Sequence, residues 1–238
     1  MKKLVLAVVV MAVIAASSLC AEDQPLVDRA KGAVALLYAQ DMSGSMNMHC
    51  TVTAFEKTAT GFLFVSAAHC VGSDDTTHER SATGSRTPFF ITFDERDHPK
   101  QFYPATVVWV GYQHRGEDFS VFSVASAEPW TTIPVGDERK ESDGAAILNL
   151  ASPLGLGTQV FHGTISKLFL DRPVIDEGTG INWQGSMMLQ LPGVDGGSSG
   201  SAIVSEKQHA IVGFLVGTIN GTSIIAVPVS KFRNVHAA

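Results

Sequence analysis

Gly196-Gly197-Ser198-Ser199-Gly200-Ser201-Ala202 is the stretch on which the reading of this chain turns. Small residues flank Ser199 on both sides, and the apolar run Ala202-Ile203-Val204 follows. Glycines let the backbone turn tightly and bring its N–H groups close to a ligand. A hydroxyl in such a turn projects into solvent, with the N–H groups of Gly197 and Ser199 converging beside it. Acyl transfer needs that pairing: a nucleophile, and donors aimed where negative charge develops. Taken alone, the stretch is more simply a Gly/Ser-rich loop between strands. The rest of the chain decides.

Two further pieces stand upstream. Ser66-Ala67-Ala68-His69-Cys70 ends the apolar run 61–65, and Asp118-Phe119-Ser120-Val121 opens another. Singly, each has a plain reading: a structural histidine after a strand, a turn aspartate after Gly116-Glu117. Around them, short alternating or apolar runs separated by turn residues predict strands. These fall at residues 33–38, 50–55, 61–65, 89–93, 105–110, 119–124, 145–150, 159–170, 187–191, 202–204, 210–216 and 223–227. A short helix is expected at 25–31 and a single turn from Ser230. Residues 42–48 read as a linker. Many short strands without helical periodicity imply an all-β sandwich or barrel fold. Residues 128–144, with two prolines and the charge run Asp137 to Glu141, form the expected boundary between halves.

Taken in order, His69, Asp118 and Ser199 resemble the triad of the chymotrypsin/trypsin-like serine proteases, whose mechanism is a general template for such sites. Ala67-Ala68-His69-Cys70 is similar to that family's histidine motif, including the cysteine that pairs with an upstream partner, here Cys50. Several segments look more like the bacterial HtrA-type branch. Tyr103-Pro104-Ala105-Thr106 leading to Asp118 resembles its approach to the aspartate. Ser152-Pro153-Leu154-Gly155 with Gly163-Thr164-Ile165-Ser166 resembles the start of its second barrel, and Ala226-Val227-Pro228 its closing strand. Residues 196–201 also resemble the bacterial glutamyl endopeptidases.

The resemblance implies two six-stranded antiparallel β-barrels with a short C-terminal helix and an active site between them. On that reading residues 22–135 form the first barrel, with His69 and Asp118, and 136–238 the second, with Ser199. His69 is the expected general base, Asp118 orients it, and the N–H groups of Gly197 and Ser199 form the oxyanion hole. Gly193, six residues before the nucleophile, is expected at the base of the primary specificity pocket, with Leu215, Val216 and Gly217 along its wall. Trypsin has an aspartate at the first position and glutamyl endopeptidases a histidine at that of Leu215. Glycine and leucine there imply cleavage after small or medium apolar residues. Ser198 stands where the family usually carries Asn or Asp, so activation by an ion pair between that aspartate and a new N-terminus is not implied. HtrA-type proteins continue into a PDZ domain, for which this chain ends too soon, so regulation by one is not implied either.

Composition agrees with an exported globular protein. The 238 residues are 45% hydrophobic and 17% charged, enough for a sizeable core. Met1-Lys2-Lys3 and the apolar run 4–16 mark a signal peptide, expected at 1–21 with cleavage after Ala21. Cleavage after Ser18 or Cys20 is an alternative, and a lipoprotein anchor at Cys20 ranks lower because Leu19 is not small. The expected location is periplasmic or secreted. Losing Lys2 and Lys3 takes the net charge from −6 down by two, to −8. An acidic chain with no basic cluster argues against nucleic acid as a partner, and no transmembrane span is expected in the mature chain. Cys50 and Cys70 then remain, an even pair that reads as a disulfide.

No metal or cofactor is expected. His49, His78, His98, His114, His162, His209 and His236 lack ligand spacing. The carboxylates Asp74, Asp75, Asp94, Glu95 and Asp97 match no calcium loop and read as a solvated acidic face. Protein or peptide substrates are the implied partners. The rival reading is a catalytically silent trypsin-like domain that binds peptides or a protein partner; loss of a triad residue would signal it, and none is lost. A holdase-like chaperone would need an oligomer interface that nothing in the sequence marks.

Overall fold

The computed structural model describes residues 25–71, 88–94, 99–113, 116–175, 181–219 and 223–236. The expected signal peptide, most of the polar stretch 72–88, and Asp74, Asp75, Glu95 and Asp97 lie outside them.

Six antiparallel strands close the first barrel: β1 (Val34–Gln40), β2 (Met46–Lys57), β3 (Gly61–Ser66), β4 (Phe89–Thr92), β5 (Tyr103–Val110) and β6 (Ser120–Ala125). Their order around the barrel is β1-β2-β3-β6-β5-β4. The second contains β7 (Ala146–Ala151), β8 (Gln159–Lys167), β9 (Met187–Gln190), β10 (Ala202–Ser205), β11 (Ala210–Ile219) and β12 (Ser223–Pro228), closed as β10-β11-β12-β9-β8-β7. Closure leaves no unpaired sheet edge in either half. Helix α1 spans residues 25–31 and α2 spans Val229–His236. The expected trypsin-like double barrel is therefore what the chain forms.

Several boundaries differ from the sequence reading. Part of the expected linker at 42–48 is strand, because Gln40, Ala39 and Tyr38 pair with Met46, Asn47 and Met48. Residues 46–48 alternate between half-buried and exposed, but none is fully buried and the run is only three residues long beside the Ser/Gly stretch 43–45, so the sequence there reads as a linker. β8 stops at Lys167 instead of Leu170, after a bulge between Ile165 and Lys167 shifts its register against β9. β11 runs on to Ile219, and α2 makes two turns rather than one.

An aromatic seam joins the halves. Phe119, just before β6, lies 5.4 Å from Phe232 of α2 and 6.3 Å from Phe214 of β11, and Phe214 lies 5.5 Å from Phe232. Phe55 of β2 meets Phe232 edge-on at 5.1 Å. Burying each such ring contributes about 1.5–3 kcal/mol. The seam thus fixes the two barrels, and with them the residue next to Phe119, which is Asp118. A separate apolar cluster of Ile147, Ile165, Leu189, Ile203 and Leu215 fills the second barrel.

Cys50 in β2 is bonded to Cys70 across 20 residues of sequence. A loop of that length gives roughly 3 kcal/mol in the chain-entropy model. The bond anchors the short 3-10 turn Ala68–Val71, which carries His69, to β2.

Candidate active site

Strand pairing brings His69 and Asp118 to one rim. β3 and β6 run antiparallel with Ser66 opposite Ser120. His69 lies three residues beyond the first and Asp118 two before the second, so both leave the sheet at the same end. The Ser120 hydroxyl donates to Ala67 O at 2.8 Å and tightens that end. Asp118 is fully buried. Its Oδ1 accepts the His69 backbone N–H at 3.0 Å, and its Oδ2 lies 2.9 Å from His69 Nδ1.

Sequence reasoning missed a third donor. Gln113 Nε2 donates to the same Oδ2 at 3.0 Å. The loop 111–119 folds back to deliver it: Gly116 N–H bonds Gln113 O, Glu117 N–H bonds Tyr112 O, and Gly111 N–H bonds Phe119 O. Lys231 of α2 donates from its ammonium to Gly116 O at 3.0 Å and ties that segment to the helix. Burial depresses the Lys231 pKa, partly offset by the charge of Glu117. A glutamine five residues before an aspartate in a turn has no motif, so only the folded loop reveals it.

The His69 imidazole feels two opposing influences. Burial favours its neutral form, while the hydrogen bond to Asp118 and that carboxylate's charge favour the cation. The net result is a pKa above the ordinary 6.5.

Of the three serines in the glycine-rich turn, two are structural. Ser198 is 1% exposed and its Oγ accepts the Asp195 N–H at 3.3 Å. Ser201 is fully buried and its Oγ accepts from Asn149 Nδ2 at 2.7 Å. Ser199 alone is partly exposed. Its backbone O accepts the Thr51 N–H at 3.0 Å, which ties the turn to β2 beside Cys50. No hydrogen bond joins its hydroxyl to His69 among the described residues, a looseness common in sites without substrate.

Glycine is required twice in this turn. Gly200 has φ +83°, and a Cβ there would lie 2.2 Å from Ser66 Oγ and 2.6 Å from Ala67 N. That contact is how the turn docks on the strand leading to His69. Gly197 has φ +92° and packs against Ser152 O and Leu154 N. The N–H groups of Gly197 and Ser199 donate to no acceptor among the described residues.

The expected pocket residues are divided by the structure. Leu215 is 4% exposed and belongs to the second-barrel cluster, with Phe161 and Val194 packed against that cluster. Val216 belongs to the other core, shared with the first barrel. Nothing lies within 4 Å of a Cβ built on Gly217. Gly193 has φ +91° and faces the Phe161 ring, where a Cβ would come to 2.9 Å. Phe161 is thus a neighbour of this region that sequence order did not suggest. Asp195 is exposed, with its Oδ1 accepting the Gly196 N–H at 2.7 Å. Cys50, His69 and Cys70 cluster closely, but both sulfurs are spent in the disulfide. No helix among the described residues is long and apolar enough to cross a membrane.

A family model described as the trypsin-like peptidase domain matches residues 51–214. No curated protein sequence matches the chain significantly. Among solved structures, the HtrA-type protease AlgW with tripeptide superposes with a TM-score of 0.63 at 18% identity, covering 89% of this chain and 61% of that one. AlgW with decapeptide gives 0.64 at 16% identity, covering 88% and 65%. Deg5 gives 0.63 at 12% identity, covering 90% and 91%. The chain therefore spans under two thirds of the AlgW chains it matches. At these identities the likeness is one of fold.

Proposed function

The chain belongs to the trypsin-like peptidase family, and from that premise we propose that it is an exported serine endopeptidase working through His69, Asp118 and Ser199. The single observation that carries the mechanism is the Asp118–His69 pair, with the base held by two bonds from one buried carboxylate. Asp118 keeps the proton on Nδ1, leaving Nε2 free to take the Ser199 proton. Ser199 then attacks the scissile carbonyl, and the N–H groups of Gly197 and Ser199 receive the oxyanion. The protonated His69 returns its proton to the leaving amine, and water hydrolyses the acyl-enzyme by the same steps. Peptides in the AlgW structures fit a peptide substrate here as well. The bonded Cys50–Cys70 pair and the basic, apolar start of the chain support export to an oxidising compartment. The deciding experiment is labelling with a fluorophosphonate probe and mapping the modified residue. Ser199 is the expected site, and an unlabelled protein would point instead to a catalytically silent peptide-binding domain.

Activity should depend on pH through His69. General-base catalysis needs the neutral imidazole, and its pKa lies above 6.5. The rate kcat/KM is therefore expected to rise with pH through a midpoint above that value. The linked stability term runs the other way. The raised folded pKa stabilises the protein fully below about pH 6.5, and that contribution fades as pH rises through the folded value. A pH–rate profile with its acidic midpoint at or below 6.5 would contradict the assignment.

The substrate pocket we propose is built from Gly193, Leu215, Val216 and Gly217, with Phe161 beside Gly193. No charged side chain joins these five residues. A substrate Lys, Arg or Glu placed against Leu215 without a partner would cost several kcal/mol, on the order of the penalty for burying an unpaired polar group. Asp195 is engaged with Gly196 and exposed, so it supplies no buried counter-charge. Cleavage after Val, Ala or Leu is expected. Peptide-library profiling tests it, and dominant cleavage after Lys, Arg or Glu would refute the pocket.

A further inference from the structure

Thr51 is a polar residue inside the barrel seam, fully buried, and the proposed mechanism gives it no role. All of its polar atoms are nonetheless engaged. Its Oγ1 donates to Gly197 O at 2.8 Å and accepts the Ser152 N–H at 3.1 Å. Its N–H donates to Ser199 O at 3.0 Å, and its carbonyl accepts from Ser66 Oγ at 2.8 Å. One residue of the first barrel thus holds two peptides of the Ser199 turn and the start of the neighbouring loop 152–156.

The consequence follows from peptide geometry. In a trans peptide the C=O and the following N–H point in opposite directions, so fixing one aims the other. Every carbonyl of residues 196–199 is fixed. Gly196 O accepts from Leu154 N at 2.7 Å, Gly197 O from Thr51 Oγ1, Ser198 O from Ser201 N at 3.1 Å, and Ser199 O from Thr51 N. The N–H groups of Gly197 and Ser199 are the far ends of the peptides anchored at Gly196 O and Ser198 O.

The anchor at Gly196 comes from the neighbouring loop 152–156. Its donor belongs to Leu154, whose φ of +56° is a left-handed conformation that a leucine holds only when its surroundings enforce it. Ser152, two residues earlier, is held by Thr51 Oγ1. The peptide between Gly196 and Gly197 has no Cβ on either side to resist a flip. We propose that Thr51 is a positioning residue for the oxyanion hole: its hydroxyl fixes Gly197 O and the 152–154 segment together, so that the Gly197 N–H stays turned toward the reacting carbonyl.

This inference rests on the serine-peptidase reading, and the test separates the two. Thr51→Val keeps the shape and removes the hydroxyl; Thr51→Ser restores it. Deleting one oxyanion donor outright lowers kcat by about 10²–10³, so misaiming one should lower it by about ten- to a hundredfold. Because the hole acts on the transition state, KM should stay within about twofold. Fluorophosphonate labelling of Ser199 should slow in parallel, and Thr51→Ser should return both to within about threefold of wild type. If Thr51→Val fails to fold, Thr51→Ala removes the same hydroxyl and carries the same expectations. Unchanged kcat, a loss borne by KM, or a loss that serine does not rescue would each overturn the role of Thr51 alone. A wild-type protein that takes no label at Ser199 would overturn the peptidase reading and the positioning role with it.

Discussion

Replacing Ser199 by alanine is expected to lower peptide turnover by on the order of 10⁶, if the scale seen for serine peptidases of another fold transfers. The substitution removes one oxygen and little else. The Ser199 backbone is held through its carbonyl by Thr51, and the glycines that shape the turn remain. Folding and melting temperature should therefore stay close to wild type, which makes the loss attributable to chemistry. A residual rate above the uncatalysed one should survive, because the hole and the binding cleft remain. Neighbouring hydroxyls cannot take over: Ser198 is buried and bonded within the turn, and Ser201 is buried and bonded to Asn149 of β7. Steady-state kinetics on the purified variant check this. Retained activity, or probe labelling at Ser198 or Ser201, would remove Ser199 from the mechanism.

Asp118→Asn is the second large effect, expected near 10⁴ in kcat on the scale of the general triad template. Three donors converge on this carboxylate: the His69 N–H on Oδ1, and His69 Nδ1 and Gln113 Nε2 on Oδ2. An amide must turn its NH2 group toward one side. Facing the His69 backbone N–H would set donor against donor in a fully buried place, a costly arrangement. Facing Oδ2's partners instead requires the Gln113 amide to turn its oxygen inward and forces His69 Nδ1 to accept, which moves the imidazole proton to Nε2. That nitrogen can then no longer take the serine proton. Substrate binding should change little, so KM is expected to hold within a few-fold while kcat collapses. A variant with near-normal kcat would show that Asp118 does not set the tautomer.

The strands were legible in the sequence because they rest on local patterning, and the candidate triad because its order and flanking motifs resemble a known family. Alternating apolar runs such as 61–65 and 119–124 need a buried face wherever they end up. The glycines around Ser199 mark a backbone that must turn and dock closely, and Gly200 against Ser66 and Ala67 gives the steric reason. Cys50 and Cys70 could be paired by count, since the third cysteine, Cys20, falls in the expected signal peptide. What sequence could not supply was anything made by residues distant along the chain that meet without a motif. Gln113 reaches Asp118 only because residues 111–113 bond back to 116–119, with Lys231 holding Gly116 O. Phe161 of β8 meets Gly193, 32 positions later, only once the second barrel has closed. Thr51 reads as one more strand residue until barrel closure and the aromatic seam set it against residues 146 and 148 positions away, Gly197 and Ser199. Resemblance already singled out Ser199 in the sequence; what the packed fold adds is a physical difference among three small hydroxyls in one turn, since Ser198 and Ser201 are buried and bonded while Ser199 is partly exposed.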